Sequence, residues 1–280
     1  MTQRVSSYEL YAVPWGASPD KVFASQDANS YVAGEYVWTG WDYIGEPTPY
    51  LSSRSSYFGI IDLAGFKKDR FYLYQARWNP DIRTAHILPH WNWPDRVGEV
   101  TPVHVFSSAD TAEVFVNGES QGKQERNVSG YRFRWDDVKY EPGELRVVTY
   151  KDGREWAEET TRTTGTPARL NVTTYQDRAS VRADGTDLVF VSVAVVDEND
   201  DIVPDAEDSV TFSIDDPGVI LTTDNGDQTD FVPFPEPERK AFSGQVLAIV
   251  RAEKGATGDF TVRATAQGVE KGTVLVSIQQ

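Results

Sequence analysis

The chain of 280 residues reads as mostly β: two antiparallel, immunoglobulin-like sandwiches preceded by a helix–strand–loop–helix segment. Three observations predict this. From about residue 84 onward, apolar residues recur with period two in short runs, the signature of half-buried strands. Asn117-Gly118 and Asp152-Gly153 fall between such runs, and these dipeptides tolerate the positive φ that tight hairpins need. Ahead of residue 84 the signals are helical, with Ser18-Pro19-Asp20 at one start and an aromatic face over 66–78.

The elements follow in order. In residues 1–82, Ser18 is the N-cap and Pro19 the first helical position, Val22, Phe23 and Ala24 begin the apolar face, and Gly34 lies past the helix end. Tyr36-Val37-Trp38 reads as a short buried strand. Pro47 and Pro49 continue neither helix nor strand, so the chain loops. The run 66–78 carries Phe71, Tyr72, Tyr74 and Trp78 on a helical face, with Lys67 and Lys68 as its surface-exposed start. Residues 83–165 form the first sandwich, with strands over 103–106, 112–116, 131–135 and 145–150. Within 131–135, Tyr131, Phe133 and Trp135 share one face, and Arg132 and Arg134 the other. A small-residue linker, 163–168, leads to the second sandwich, residues 166–280, with strands over 170–173, 188–196, 210–214, 246–250, 260–266 and 274–278. The run 231–238, FVPFPEPE, reads as a Pro-rich surface loop.

The formal charge is −16, and residues 166–280 hold 20 acids against 9 bases. Such a surface argues against nucleic acid, which needs basic grooves. It fits either an ordinary solvated face or adaptation to high salt, and 18 Arg against 9 Lys leaves both open. With no cysteine there is no disulfide framework or Cys zinc site. No apolar run is long enough to cross a membrane as a helix. MTQRVSSYEL has no apolar signal core, so a cytoplasmic location is favoured.

The richest chemistry lies in 34–75, GEYVWTGWDYIGEPTPYLSSRSSYFGIIDLAGFKKDRFYLYQ. Tyr36, Trp38, Trp41 and Tyr43 stand beside Glu35, Asp42 and Glu46. Indole rings stack on the apolar face of a sugar, and carboxylates hydrogen-bond its hydroxyls. This stretch resembles the last strand and last helix of the catalytic (β/α)₈ barrel of family 2 glycoside hydrolases, the β-galactosidase type. SSYELYAVPWGASPDKVFASQDANSYVAG, residues 6–34, resembles the segment leading to that last strand. HILPHWNWPDRVGEVTPVHVFSSADTAEVFVNGESQG, residues 86–122, is similar to the sandwich following the barrel. Residues 167–280, with VPDAEDSVTFSIDDPGVILTTDNGD, are similar to a further immunoglobulin-like domain of the same enzymes.

The resemblance implies a partial (β/α)₈ barrel over residues 1–82, about a quarter of a fold that takes about 250 residues. Alone it would leave strand edges and an apolar face uncovered, so poor stability without its complement is expected. Retaining glycosidases use two carboxylates roughly 5–5.5 Å apart. The resemblance puts both on earlier barrel strands, so no catalytic residue is expected in this chain. The implied partners are a β-galactoside and the N-terminal part of the same enzyme. No cofactor is implied, and homo-oligomerisation is left open. The second class of function is a non-catalytic carbohydrate-binding or adhesion-type sandwich protein that keeps a relic of the barrel.

The resemblance implies that Trp38 is the floor of the sugar subsite, against the plainer reading of a core Trp. Asp42 and Glu46 are candidates to bind sugar hydroxyls or to hold a neighbouring Arg; they are not assigned as a catalytic pair. Glu35 reads as structural. Arg54, with Ser55 and Tyr57, is placed on the pocket rim. The related β-glucuronidases carry an Asn-x-Lys signature near here, and SSRSSYFG has neither residue. His90, Trp91 and Trp93 are read as packing where the sandwich abuts the barrel. His86 and His90 lie four apart, but Pro89 between them breaks the helix that would make them a metal face. The acidic runs 197–201 and 224–227 depart from the calcium-loop pattern and read as hairpin turns. No phosphate loop, dinucleotide fingerprint or nucleophile elbow occurs.

Overall fold

The structure is a computed structural model that describes residues 5–9, 15–127 and 130–279. Its contacts group into two compact units. The first comprises Met1–Asp42, Tyr57–Ile61 and Lys67–Thr163; the second comprises Tyr43–Ser56, Asp62–Phe66 and Thr164–Gln280. The loop 43–56 and the turn 62–66 thus belong with the last sandwich rather than with their sequence neighbours.

In the first unit, helix α1 (Pro19–Asp27) starts as its sequence predicts. Ser18 is extended, and its hydroxyl accepts from the Lys21 N–H at 3.4 Å. Helix α2 (Asp69–Trp78) starts later than expected, after Lys68, whose side chain makes no cap. Phe23 of α1 and Leu73 and Tyr74 of α2 bury against Ile60, Ile61, Leu88 and Phe106. Phe23 meets Tyr74 and Tyr131 edge-on, at centroid distances of 5.3 and 5.1 Å, the arrangement favoured by ring quadrupoles.

The sandwich of this unit has strands β1 (His86–Leu88), β2 (Val103–Phe106), β3 (Thr111–Val116), β4 (Glu119–Glu125), β5 (Phe133–Trp135), β6 (Glu144–Lys151) and β7 (Arg154–Arg162). They form sheets ordered β1-β2-β5 and β4-β3-β6-β7, all antiparallel. Inward residues of both sheets share one core, including Val103, Val105, Phe133, Val114, Leu145 and Val147. Both expected hairpin turns form, with φ of 49° and 85° at Asn117-Gly118 and 52° and 72° at Asp152-Gly153. The partner strands beyond them, β4 and β7, are too polar to show a period-two apolar pattern.

The second unit has strands β8 (Arg169–Thr174), β9 (Ser180–Arg182), β10 (Val189–Val196), β11 (Ser209–Ile214), β12 (Gly218–Asp224), β13 (Glu238–Lys240), β14 (Gln245–Ala252), β15 (Phe260–Ala266) and β16 (Val269–Gln279). The halves β12-β14-β10-β8 and β16-β15-β11-β13 are linked by the parallel pairing of Glu270 with Arg169, and β9 pairs with β16. Val191, Val193, Val250, Phe212, Val262 and Val276, drawn from both halves, lie in one buried cluster.

Three expectations are corrected. Tyr36-Val37-Trp38 is not a buried strand: Tyr36 and Trp38 face solvent, Val37 alone packs partly against the core, and pairing begins only at Thr39. The run 224–227 is not a hairpin turn; it opens the long loop between β12 and β13, with Asp224 and Asn225 buried. Lys68 is not merely a surface residue, because its ammonium pairs with the buried carboxylate of Asp42.

Candidate functional site

In the first unit, Thr39–Asp42 runs beside Ile60-Ile61. Ile60 N donates to Thr39 O at 3.2 Å, Ile61 N to Gly40 O at 2.9 Å and Asp42 N to Ile61 O at 2.9 Å. Gly59 is required here, since a Cβ on it would lie 2.3 Å from Asp42 N. Asp42 closes the arrangement. One of its carboxylate oxygens accepts from Gly59 N at 2.8 Å, and the other takes the Lys68 ammonium, which also donates to Tyr57 O at 3.2 Å. The aromatics before this clamp point outward: Trp38 is 75% exposed, Trp41 59%, and Tyr36 entirely. The Trp38–Thr39 peptide is cis. Glu35 accepts from the Trp78 indole N–H at 3.3 Å, and its pKa is raised by burial.

In the second unit, the ends of the loop Tyr43–Ser56 pair through Gly45 N to Arg54 O and Ser56 N to Tyr43 O, both 2.9 Å. Glu46 is exposed, adopts φ 48° and accepts a hydrogen bond from the Tyr43 hydroxyl. Arg54 does not reach outward. Its guanidinium pairs with Asp224 at 2.6 Å and lies 4.8 Å over the Phe234 ring, with its side chain 9% exposed.

The predicted residues therefore differ in availability. Trp38 and Glu46 are exposed, whereas Asp42 and Arg54 are taken into ion pairs within their own units. Trp91 is fully buried in the first sandwich core, meets Tyr140 edge-on and donates to Glu141 O at 2.9 Å. His90 stacks on Trp93 at 4.2 Å, and the Trp93 indole donates to His90 O.

Sequence reasoning missed the partners that hold these residues. Lys68 and Asp224 are ordinary surface types, and only the fold puts them beside Asp42 and Arg54. His86 was also missed as an ionic residue. It lies 2.9 Å from Asp69 and 3.6 Å from Glu159 and stacks on Tyr72 at 4.0 Å. Burial pulls its imidazolium down, but the hydrogen bonds and charges of Asp69 and Glu159 overcome this and hold the pKa at about 9. His104 goes the other way, pushed down to about 4 by burial and by Arg132 and Arg134.

Comparison with known proteins agrees with this architecture. Residues 172–275 match the model of glycoside hydrolase family 2 C-terminal domain 5, and residues 98–157 match a domain family of unknown function. The chain is 41% identical to β-galactosidase BoGH2A of Bacteroides ovatus over 98% of its own length and 32% of that protein. It is 30% identical to a putative β-glucuronidase of Formosa agariphila over 79% of its length and 22% of that protein. The structure aligns with a β-glycosidase from Bacteroides vulgatus at a TM-score of 0.86 and 26% identity, covering 93% of this chain and 33% of the other. The chain thus spans about a third or less of the relatives it matches. With the sandwiches and their order in agreement, the chain belongs to glycoside hydrolase family 2 and carries the C-terminal region of such an enzyme.

Proposed function

We propose that this chain is the C-terminal part of a retaining β-galactosidase-type glycoside hydrolase. Residues 1–82 are the end of its barrel, 83–165 its following sandwich and 166–280 its last sandwich. The enzyme cleaves terminal β-galactosides through a covalent glycosyl-enzyme intermediate. Its acid/base and nucleophile, roughly 5–5.5 Å apart, stand on the barrel portion that this chain complements. The observation that carries the reading is Trp38, an exposed indole beside a rigid buried clamp, flanked by exposed Tyr36 and Trp41. An indole held this way offers a flat apolar platform for a sugar ring.

Asp42 acts as a positioning residue that fixes the backbone after Trp38, and Glu46 is the carboxylate available to sugar hydroxyls. The galactoside assignment is supported by the 41% identity to a β-galactosidase and by the lack of Asn and Lys in SSRSSYFG.

The test is hydrolysis of an aryl β-galactoside by the chain alone and after mixing with the barrel portion of a relative. Activity is expected only in the mixture. Trp38→Ala should raise KM roughly 10- to 100-fold there, from the loss of one aromatic platform. Activity of the chain alone, abolished by Asp42→Asn or Glu46→Gln, would place the catalytic carboxylates here and overturn the reading. A mixture that prefers aryl β-glucuronides would overturn the galactoside assignment.

A further inference from the structure

Arg239, on β13, is among the largest fully buried side chains of the second unit, and the loop between β12 and β13 is wrapped around it. Its guanidinium donates to Asp230 at 3.0 Å and to the carbonyls of Val232, Thr223 and Pro233 at 2.8, 2.9 and 2.9 Å. A buried guanidinium with this many acceptors fixes the loop backbone from inside. Asn225 adds a second brace, donating to Asp230 and to Lys240 O, both at 3.0 Å.

The rest of this loop grips a different segment. Asp224 takes the Arg54 guanidinium at 2.6 Å, and Gln228 O accepts from Arg54 N at 2.9 Å. Gly226, at φ +77°, lets the backbone pass so close to Asp62 that a Cβ would stand 2.2 Å from its carboxylate. Arg54 N is thus satisfied from the loop, and Arg54 O in turn holds Gly45 N. Gly45 immediately precedes Glu46.

We propose that Asp224, on the loop braced by Arg239, is a positioning residue for Tyr43–Ser56, so that the last sandwich sets the stance of Tyr43 and Glu46 and tunes substrate binding. This rests on the proposed reading of Glu46 as a carboxylate that meets sugar hydroxyls. It gives the last sandwich a part in recognition.

Hydrogen exchange on the 280-residue chain tests the clamp directly. Asp224→Asn keeps an acceptor for the amides of Asn225 and Gly226, which Asp224 Oδ1 now serves at 2.8 and 3.3 Å, and removes the charge. The amides of Gly45, Arg54 and Ser56 should then exchange roughly tenfold faster, the loss expected for a charge-assisted hydrogen bond, while the β10–β14 ladder is unchanged. Arg54→Met should do the same from the other side. In the active mixture, Asp224→Asn should raise KM about tenfold with kcat within about twofold, a split that general destabilisation does not produce.

Unchanged exchange in both variants, or an unchanged KM in an active mixture, would overturn the proposal. If the wild-type mixture cleaves no aryl glycoside, the functional reading fails, and the exchange data alone decide whether the clamp holds the loop.

Discussion

The Asp42–Lys68 pair is asymmetric, and the asymmetry predicts unequal costs for removing either partner. The Asp42 side chain is 0% exposed, whereas that of Lys68 is 25% exposed. Lys68→Met removes the cation from a carboxylate that stays buried and still accepts from Gly59 N–H. Breaking a buried pair this way costs about 3–4 kcal/mol. Asp42→Asn keeps an acceptor for Gly59 and leaves an ammonium that water and Tyr57 O can satisfy. Its cost is about 1–2 kcal/mol. The double variant should cost about as much as Asp42→Asn alone, a coupling of roughly 3–4 kcal/mol.

The assay is urea unfolding at pH 7 followed by tryptophan fluorescence. All eight tryptophans lie in the first unit, so the signal reports that unit alone. A Lys68→Met cost below about 1 kcal/mol, or costs that simply add in the double variant, would mean that water reaches the carboxylate. The case for Asp42 as an internal clamp would then be lost, and a direct contact with sugar would return as its role.

Further outcomes follow from other buried groups. The folded pKa of His86, about 9, lies above its ordinary 6.5, so its contribution is complete below pH 6.5 and is lost as pH rises through 9. Between these limits stability should fall by about 2–3 kcal/mol, and His86→Gln should flatten the fall. His104, held at about 4, gives the opposite sign: its contribution is present above pH 6.5 and fades as pH drops toward 4. Arg239→Met takes the guanidinium from Asp230 and from the carbonyls of Thr223, Val232 and Pro233 and should cost the second unit about 3–5 kcal/mol, measured by exchange of β14 amides; a loss below about 1 kcal/mol refutes the account. Gly226→Ala combines positive φ with a clash against Asp62 and should cost the same unit at least about 1–2 kcal/mol, read as a lowered urea midpoint by circular dichroism.

Local rules carried much of the fold. Ser18-Pro19 started α1 because an N-cap hydroxyl and a fixed φ act within one turn. Asn117-Gly118 and Asp152-Gly153 made their hairpins because the positive φ is a property of the dipeptide itself. Strands with one buried face, such as β3 and β11, showed in their alternation. β4 and β7 did not, because a strand that leaves most of its side chains in water has no apolar period to read.

The candidate site divides along the same line. The expectation of a sugar surface over 34–46 rests on aromatic and acidic composition, which depends only on which residues are present. Which side chains stay available was decided by partners far away in the chain. Asp42 is held by Lys68, 26 residues on, and Arg54 by Asp224, 170 residues on. Such pairs leave no periodic trace, because an ion pair asks only that two charges meet in space. Trp38 is the converse case: an apolar run suggested burial, and the fold left the indole mostly exposed.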